Sequence, residues 1–162
     1  MFTRRHFSFL LLLSCTGCVS VNLGSGKVSK NTNINFQAPS QGFREISNPS
    51  ADQAWQNSET GNTISFMTEC PAPDSSLESM TDEFTSVLKS KQVKEKKEDF
   101  FNGRESLQTW AEGKLDGIPM KIRSLVFKKN GCSYLLTYVG RARVFEKNHE
   151  AFTEFISKFE AP

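Results

Sequence analysis

The sequence predicts an α+β fold, an antiparallel β-sheet meander with two packing helices, set behind a signal peptide and a flexible tether. Three observations predict it. Asn102-Gly103, Asp116-Gly117 and Asn130-Gly131 are Asx-Gly pairs between long extended runs, and such pairs favour the two-residue turns of β-hairpins. Two further segments carry apolar residues at spacings of three and four, the mark of a helix with one buried face. Ahead of them lies a basic, then apolar, then small-residue N-terminus, the order of an export signal. The 162 residues suffice for one domain. They divide into a signal peptide over 1–17, a tether over 18–33 and a single globular domain over 34–162.

The signal reads as Arg4-Arg5, an apolar run from Phe7 to Leu13, and then Ser14-Cys15-Thr16-Gly17-Cys18. The apolar run is far shorter than the ~20 residues of a membrane-crossing helix. It resembles a bacterial lipoprotein signal, cut before a cysteine that then becomes lipidated. Two frames compete. Cys15 has the usual Leu three places before it, at Leu12, but leaves a very short signal. Cys18 follows the favoured small residue Gly17, but Cys15 stands where Leu is usual. Cysteine parity favours Cys18: cutting there discards Cys15 and leaves Cys70 and Cys132 to pair, whereas cutting before Cys15 leaves an odd thiol in an oxidising compartment. Neither Thr16 nor Val19 is the Asp that resembles an inner-membrane retention signal, so an outer-membrane location is favoured over the inner. Thr3-Arg4-Arg5-His6-Phe7 also resembles the start of a twin-arginine signal, but an ordinary basic region ahead of a leucine run suits the general secretory route better.

Charge supports no nucleic-acid role. The formal +2 comes from 20 basic and 18 acidic residues, and Arg4 and Arg5 are the only charges before Lys27. The chain beyond the signal is therefore close to neutral.

From Val19 to Asn33 the sequence is polar, rich in Gly, Ser and Asn, and without period, as in a flexible tether. The domain is expected to open at Ile34, with "INFQAP" and "GFREI" as short strands about a turn. "QAWQNSETGNTISFMTEC" reads as a hairpin around Glu59-Thr60-Gly61-Asn62. In its second arm Ile64, Phe66 and Thr68 share one face, and Ser65, Met67 and Glu69 the other. After Pro71 and Pro73, Ser75 and Glu78 have the spacing of a capping box. Leu77, Met80, Phe84, Val87 and Leu88 make one apolar stripe, which predicts a helix over 76–91. The mixed charges from Lys94 to Asp99 predict a solvated edge strand or loop.

The meander follows. Leu107, Thr109 and Ala111 share one face, and Gln108, Trp110 and Glu112 the other. Met120, Ile122, Ser124 and Val126 likewise oppose Lys121, Arg123, Leu125 and Phe127. "CSYLLTYV" is apolar on both faces and belongs in the centre of the sheet. Phe145, His149, Phe152, Phe155, Ile156 and Phe159 then form the stripe of a closing helix.

This order, with "FQAPSQGF", "GNTISFMTEC", "GRESLQTWAEGKLDGIPMKIRSLVFKKNGCSYLLTYV" and the ending "AFTEFISKF", resembles the PsbP/DcrB-like α/β fold over most of residues 34–160. That group consists of small exported or membrane-anchored domains. The resemblance implies a last helix packed on the meander and a non-enzymatic accessory or binding role, and it carries over no catalytic residue.

The residues themselves offer little catalytic chemistry. His6 leaves with the signal, and His149 lies on a Phe-rich stripe where a packed histidine is the plainer reading than a general base, so a hydrolase is the weakest candidate. One His and two separated Cys do not predict a metal site, and no cofactor is expected; Gly24-Ser25-Gly26 lies in the tether, not between a strand and a helix. Cys70 and Cys132 are expected to form a disulfide, with two buried thiols as the alternative; the missing C-x-x-C spacing argues against a redox pair. Trp55 and Trp110 are candidates for a ligand face, against the plainer reading of core packing. Arg141 and Arg143 could touch an anionic partner or headgroups, but a solvated loop is the plainer reading. The expected function is a lipid-anchored protein on the periplasmic face of the cell envelope, held to the membrane through its N-terminus, with an envelope protein as partner. The alternative is a small-ligand or lipid carrier with an apolar pocket between helices and sheet.

Overall fold

A computed structural model describes residues 29–162 of the chain. The signal over 1–17, Cys15, Cys18 and the tether up to residue 28 lie outside the described residues. Seven strands form the sheet: β1 (Phe43–Ile46), β2 (Gln53–Asn57), β3 (Thr63–Glu69), β4 (Lys89–Phe101), β5 (Arg104–Leu115), β6 (Ile118–Lys129) and β7 (Cys132–Arg141). Their order is β1-β2-β3-β7-β6-β5-β4, antiparallel throughout. Two helices, α1 (Leu77–Thr85) and α2 (His149–Ser157), complete the α+β architecture that the sequence predicts.

The meander β4 to β7 is made by its turns. Asn102-Gly103, Asp116-Gly117 and Asn130-Gly131 all have positive φ at both residues, from 50° to 83°. That backbone is the one that matches the twist of a two-residue hairpin, and Asx followed by Gly tolerates it best. The turns set the register, and the register sets the faces. Ile64 and Phe66 of β3, Tyr134, Leu136 and Tyr138 of β7, and Leu125 and Phe127 of β6 lie on one face. Phe145, Phe152, Phe155 and Phe159 cover it to form the main core. The Phe127 and Tyr134 rings stack there at 4.6 Å. On the opposite face Ala111 and Ile122 pack with Leu88 and Phe84 under α1. β7, in the middle, is buried on both faces along nearly its whole length.

Four local expectations are corrected. The helix expected over 76–91 ends at Thr85, and β4 starts at Lys89. Thr81, Thr85 and Ser86 turn their hydroxyls back onto Leu77, Thr81 and Glu83 carbonyls, a habit that weakens helix continuation, and the residues beyond gain a full strand partner in β5. The cap is Ser76 rather than Ser75: its Oγ accepts from Ser79 N at 3.1 Å, while Glu78 pairs with Lys96. "INFQAP" makes one bridge, Asn35 with Glu160, and no strand. The closing stripe is broken: Phe145–Asn148 is a 3-10 turn, and α2 begins only at His149.

The boundary between tether and domain also shifts. Ser29 pairs with Cys70 through hydrogen bonds of 2.9 and 3.0 Å, and Lys30 bridges Asp52 at 3.2 Å. Asn31 N donates to Thr68 Oγ1 at 2.8 Å, and its Nδ2 donates to the Tyr134 hydroxyl at 2.7 Å. The physical reason is Tyr134: its side chain is buried, and a buried hydroxyl needs a partner. Residues 29–33 supply it, so they belong to the domain.

Candidate functional site

Cys70 ends the run that begins with β3, and Cys132 opens β7, the neighbouring strand. Antiparallel pairing of those strands brings the two Cα atoms to 4.5 Å, and their sulfurs are bonded. The disulfide closes a sequence separation of 62 residues, beside the point where Ser29 joins the sheet.

The two tryptophans part company. Trp55 is 4% exposed, with Phe36 and Phe155 rings 5.7 and 5.6 Å away, so it is a core residue and not part of a ligand face. Trp110 lies on the same side of the sheet but four strands away, roughly 19 Å at the usual strand spacing. It is half-buried and lines a cleft of about 190 Å³ with Glu95, Gln108, Arg123, Phe152 and Ile156. Register explains the grouping: Glu95, Trp110 and Arg123 are direct neighbours across β4, β5 and β6. Lys121 Nζ lies 5.2 Å and the Arg123 guanidinium 5.9 Å from the Trp110 ring, within reach of cation–π attraction. Lys121 also bridges Glu146 at 3.0 Å and Glu112 at 3.5 Å, and its hydrogen bond to Glu146 raises its pKa. The Trp110 Nε1 is buried without a hydrogen-bond partner. An indole ring, a guanidinium and a carboxylate thus line one small space, while the indole N–H itself is closed off from solvent. The guanidinium and the carboxylate can hold a short polar group by hydrogen bonds.

His149 is the first residue of α2 and half-buried; its backbone carbonyl accepts from Thr153 Oγ1 at 3.5 Å. Among the described residues no group of three His, Cys, Asp or Glu side chains is placed to hold a metal ion. Among the same residues, no helix is long and apolar enough to cross a membrane. Sequence reasoning missed Asn31 and Asn62, the two asparagines that satisfy the core tyrosines; an Asn in a polar stretch gives no periodic signal.

Three strands, a helix, a four-strand meander and a closing helix on one sheet make an α+β domain whose fold is similar to that of PsbP. Two solved structures share the fold. LpqN from Mycobacterium tuberculosis, described as involved in cell envelope biogenesis, matches with a TM-score of 0.61 and 11% identity over 85% of this chain and 86% of its own. The cyanobacterial PsbP protein CyanoP from Synechocystis, solved in solution, matches with a TM-score of 0.58 and 10% identity over 92% of this chain and 98% of its own. At such identities the likeness is one of fold. By sequence, no protein-family model and no curated protein matches the chain.

Proposed function

We propose that this is a lipid-anchored cell-envelope protein with a non-enzymatic binding or accessory role. The observation that carries the reading is the Cys70–Cys132 bond. Disulfides persist in oxidising compartments outside the cytosol, and this one accounts for two of the four cysteines. The other two, Cys15 and Cys18, stand directly behind an apolar run of signal-peptide length. The lipid sits on Cys18, with Cys15 as the alternative, and the domain occupies the periplasmic face, at the outer membrane rather than the inner. An envelope protein is its partner, and nucleic acid is not. The fold it shares with LpqN, a protein of envelope biogenesis by description, is compatible with that setting.

Metabolic labelling with a radioactive fatty acid is the test. Label on the wild-type chain that disappears in Cys18→Ala supports the reading as stated. Loss in Cys15→Ala but not in Cys18→Ala moves the attachment site. No label on the wild type, or label that survives loss of both cysteines, ends the lipoprotein reading.

The second reading, a carrier, has the Trp110 cleft in its favour. Its volume of about 190 Å³ is below the ~300 Å³ at which small-molecule pockets usually begin. A carrier of this design holds one small polar group and not a lipid chain. Quenching of Trp110 emission by a candidate ligand, absent in Trp110→Phe, would raise it above the first reading.

A further inference from the structure

The end of the sheet remote from Ser29 carries a cluster of charges that the domain itself does not use. Lys89 of β4 pairs with Lys114 of β5, and Lys114 pairs with Pro119 of β6. The Pro119 carbonyl accepts from Ala142 N at 3.0 Å, and Ala142 stands between Arg141 and Arg143. One row across four chain segments therefore gathers Lys89, Lys114, Arg141 and Arg143. All four are exposed, and none forms an ion pair among the described residues. By contrast, Lys91, Lys94, Lys96 and Lys97 farther along β4 all have carboxylate partners.

The arrangement is costly and specifically built. Like charges directly opposite in an antiparallel pair are destabilising, and Lys89 faces Lys114 in that way. Gly113 makes the approach possible: a Cβ there would meet Leu88 Cβ at 2.8 Å and the Lys89 carbonyl at 2.9 Å. The adjoining apex is apolar. Leu115 and Ile118 oppose each other beside the Asp116-Gly117 turn, 39% and 43% exposed, and Val87 at the corner before β4 is 55% exposed. Asp116 is the one acidic residue of that turn, and nearby Glu112 is already engaged by Lys94 and Lys121. A hollow of about 260 Å³ beside Ser90, Lys114, Pro119 and Ala142 opens into the same row.

We infer that this tip is a contact surface for an anionic lipid bilayer. Large apolar side chains at a projecting turn, flanked by unpaired cations, match a membrane interface: the apolar groups reach the acyl boundary and the cations meet phosphate headgroups. Charge complementarity fixes the occupant, since the chain beyond the signal balances 18 basic against 18 acidic residues and yet gathers here four cations without carboxylate partners among the described residues. Ser29 enters at the opposite end of β7, roughly 30 Å away along ten strand residues. Tip contact is therefore separable from any N-terminal attachment.

Ile118→Trp in the full chain places a reporter at the apex, with the unsubstituted chain supplying the background of Trp55 and Trp110. The chain is mixed with vesicles of phosphatidylcholine, with or without phosphatidylglycerol. The expected result is a blue shift, with quenching by brominated acyl chains, on the anionic vesicles only. Lys114→Gln and Arg141→Gln on that background each weaken the response roughly fivefold, about the worth of one basic residue at an anionic surface. An unchanged unfolding midpoint shows that these variants remain folded. No shift on anionic vesicles, as expected if the tip docks on a protein instead, overturns the inference, and so does an equal shift on neutral vesicles. Fatty-acid labelling of the N-terminus is independent of all these outcomes, so failure of the tip and failure of the anchor are told apart.

Discussion

Asn62 donates a hydrogen bond of 2.8 Å from Nδ2 to the Tyr138 hydroxyl, and both side chains are completely buried. The hydroxyl donates onward to the Phe145 carbonyl at 2.5 Å. The same Asn62 Nδ2 also lies 3.0 Å from the Val144 carbonyl and 3.0 Å from Asn148 Oδ1. One buried amide thus ties the β2–β3 turn to the central strand and to the 3-10 turn that launches α2. The closing helix is held by this polar lock as well as by its phenylalanines.

Tyr138→Phe tests the lock. The ring remains, but the Phe145 carbonyl loses its donor and Asn62 loses an acceptor in a site without water access. A buried polar group left unsatisfied costs about 1–3 kcal/mol. The expected loss is about 2 kcal/mol, read from urea unfolding as a lower midpoint with an unchanged slope.

The same hydroxyl predicts a pH dependence. Burial is the leading cause that pushes the Tyr138 pKa up to about 12, whereas an unfolded tyrosine titrates near 10. Between those values the unfolded chain gives up the proton that the folded chain keeps. The stabilisation is therefore complete below about pH 10 and is lost as pH rises towards about 12. Unfolding of the wild type and of Tyr138→Phe across that range should converge. Parallel curves would mean that the hydroxyl does not titrate with folding.

Cys70 and Cys132 give a redox dependence. Closing a separation of 62 residues removes denatured-state entropy worth about 4 kcal/mol in the chain-entropy model. Addition of dithiothreitol should lower the urea midpoint of the wild type and leave that of a Cys70→Ala, Cys132→Ala double variant unchanged. Because Ser29 pairs with Cys70, hydrogen exchange at Ser29 and Asn31 should rise on reduction, while β5 and β6 stay protected.

Burial separates phenylalanines that composition treats alike. Phe155 is 1% exposed between Trp55, Phe66 and Phe159, whereas Phe100 on edge strand β4 is 75% exposed. Phe155→Ala should cost about 3–5 kcal/mol, the range for deleting a buried ring. Phe100→Ser should stay within ~0.5 kcal/mol of the wild type. A large loss at Phe100 in thermal unfolding would show that the edge strand is covered in solution.

Much of the fold was legible because the meander is a local affair. Each Asx-Gly turn marks its own hairpin, and alternation then separates Trp110 from Ala111 in one strand, and Arg123 and Phe127 from Ile122 in the next, without any distant information. Legibility ended where long-range partners decide. Val87 and Leu88 extend a helical stripe, yet the chain leaves the helix because β5 offers ten paired positions to Lys89–Phe101. Residues 29–33 read as tether because their partners, Cys70, Thr68 and Tyr134, lie about 40 or 100 positions away. The candidate site was legible only in part. Alternation gave the face of Trp110 within its strand, but its pairing with Arg123 came from the register, and nothing local distinguishes a tryptophan in a cleft from Trp55 in a core. The row of Lys89, Lys114 and Arg141 runs across four strands, β4 to β7, and is visible only once they are paired.

Gly140 carries the last prediction, and it returns to Asn62. A Cβ at Gly140 would fall 2.1 Å from Asn62 Oδ1, 2.8 Å from Asn62 Cγ and 3.4 Å from Phe145 Cδ2. Asn62 cannot swing aside without giving up its contacts to Tyr138, Val144 and Asn148. Gly140→Ala should therefore destabilise by about 1–3 kcal/mol, the usual cost of overpacking, although the added group is a single methyl. Asn62→Ala removes the obstructing amide but leaves the Tyr138 hydroxyl without its Asn62 contact, so it is costly alone. Combining the two should cost less than their sum by at least ~0.5 kcal/mol, because the second change relieves the clash made by the first. The double-mutant cycle is read from urea unfolding at neutral pH. Strict additivity would show that the close approach of Gly140 to Asn62 is not what makes glycine necessary there.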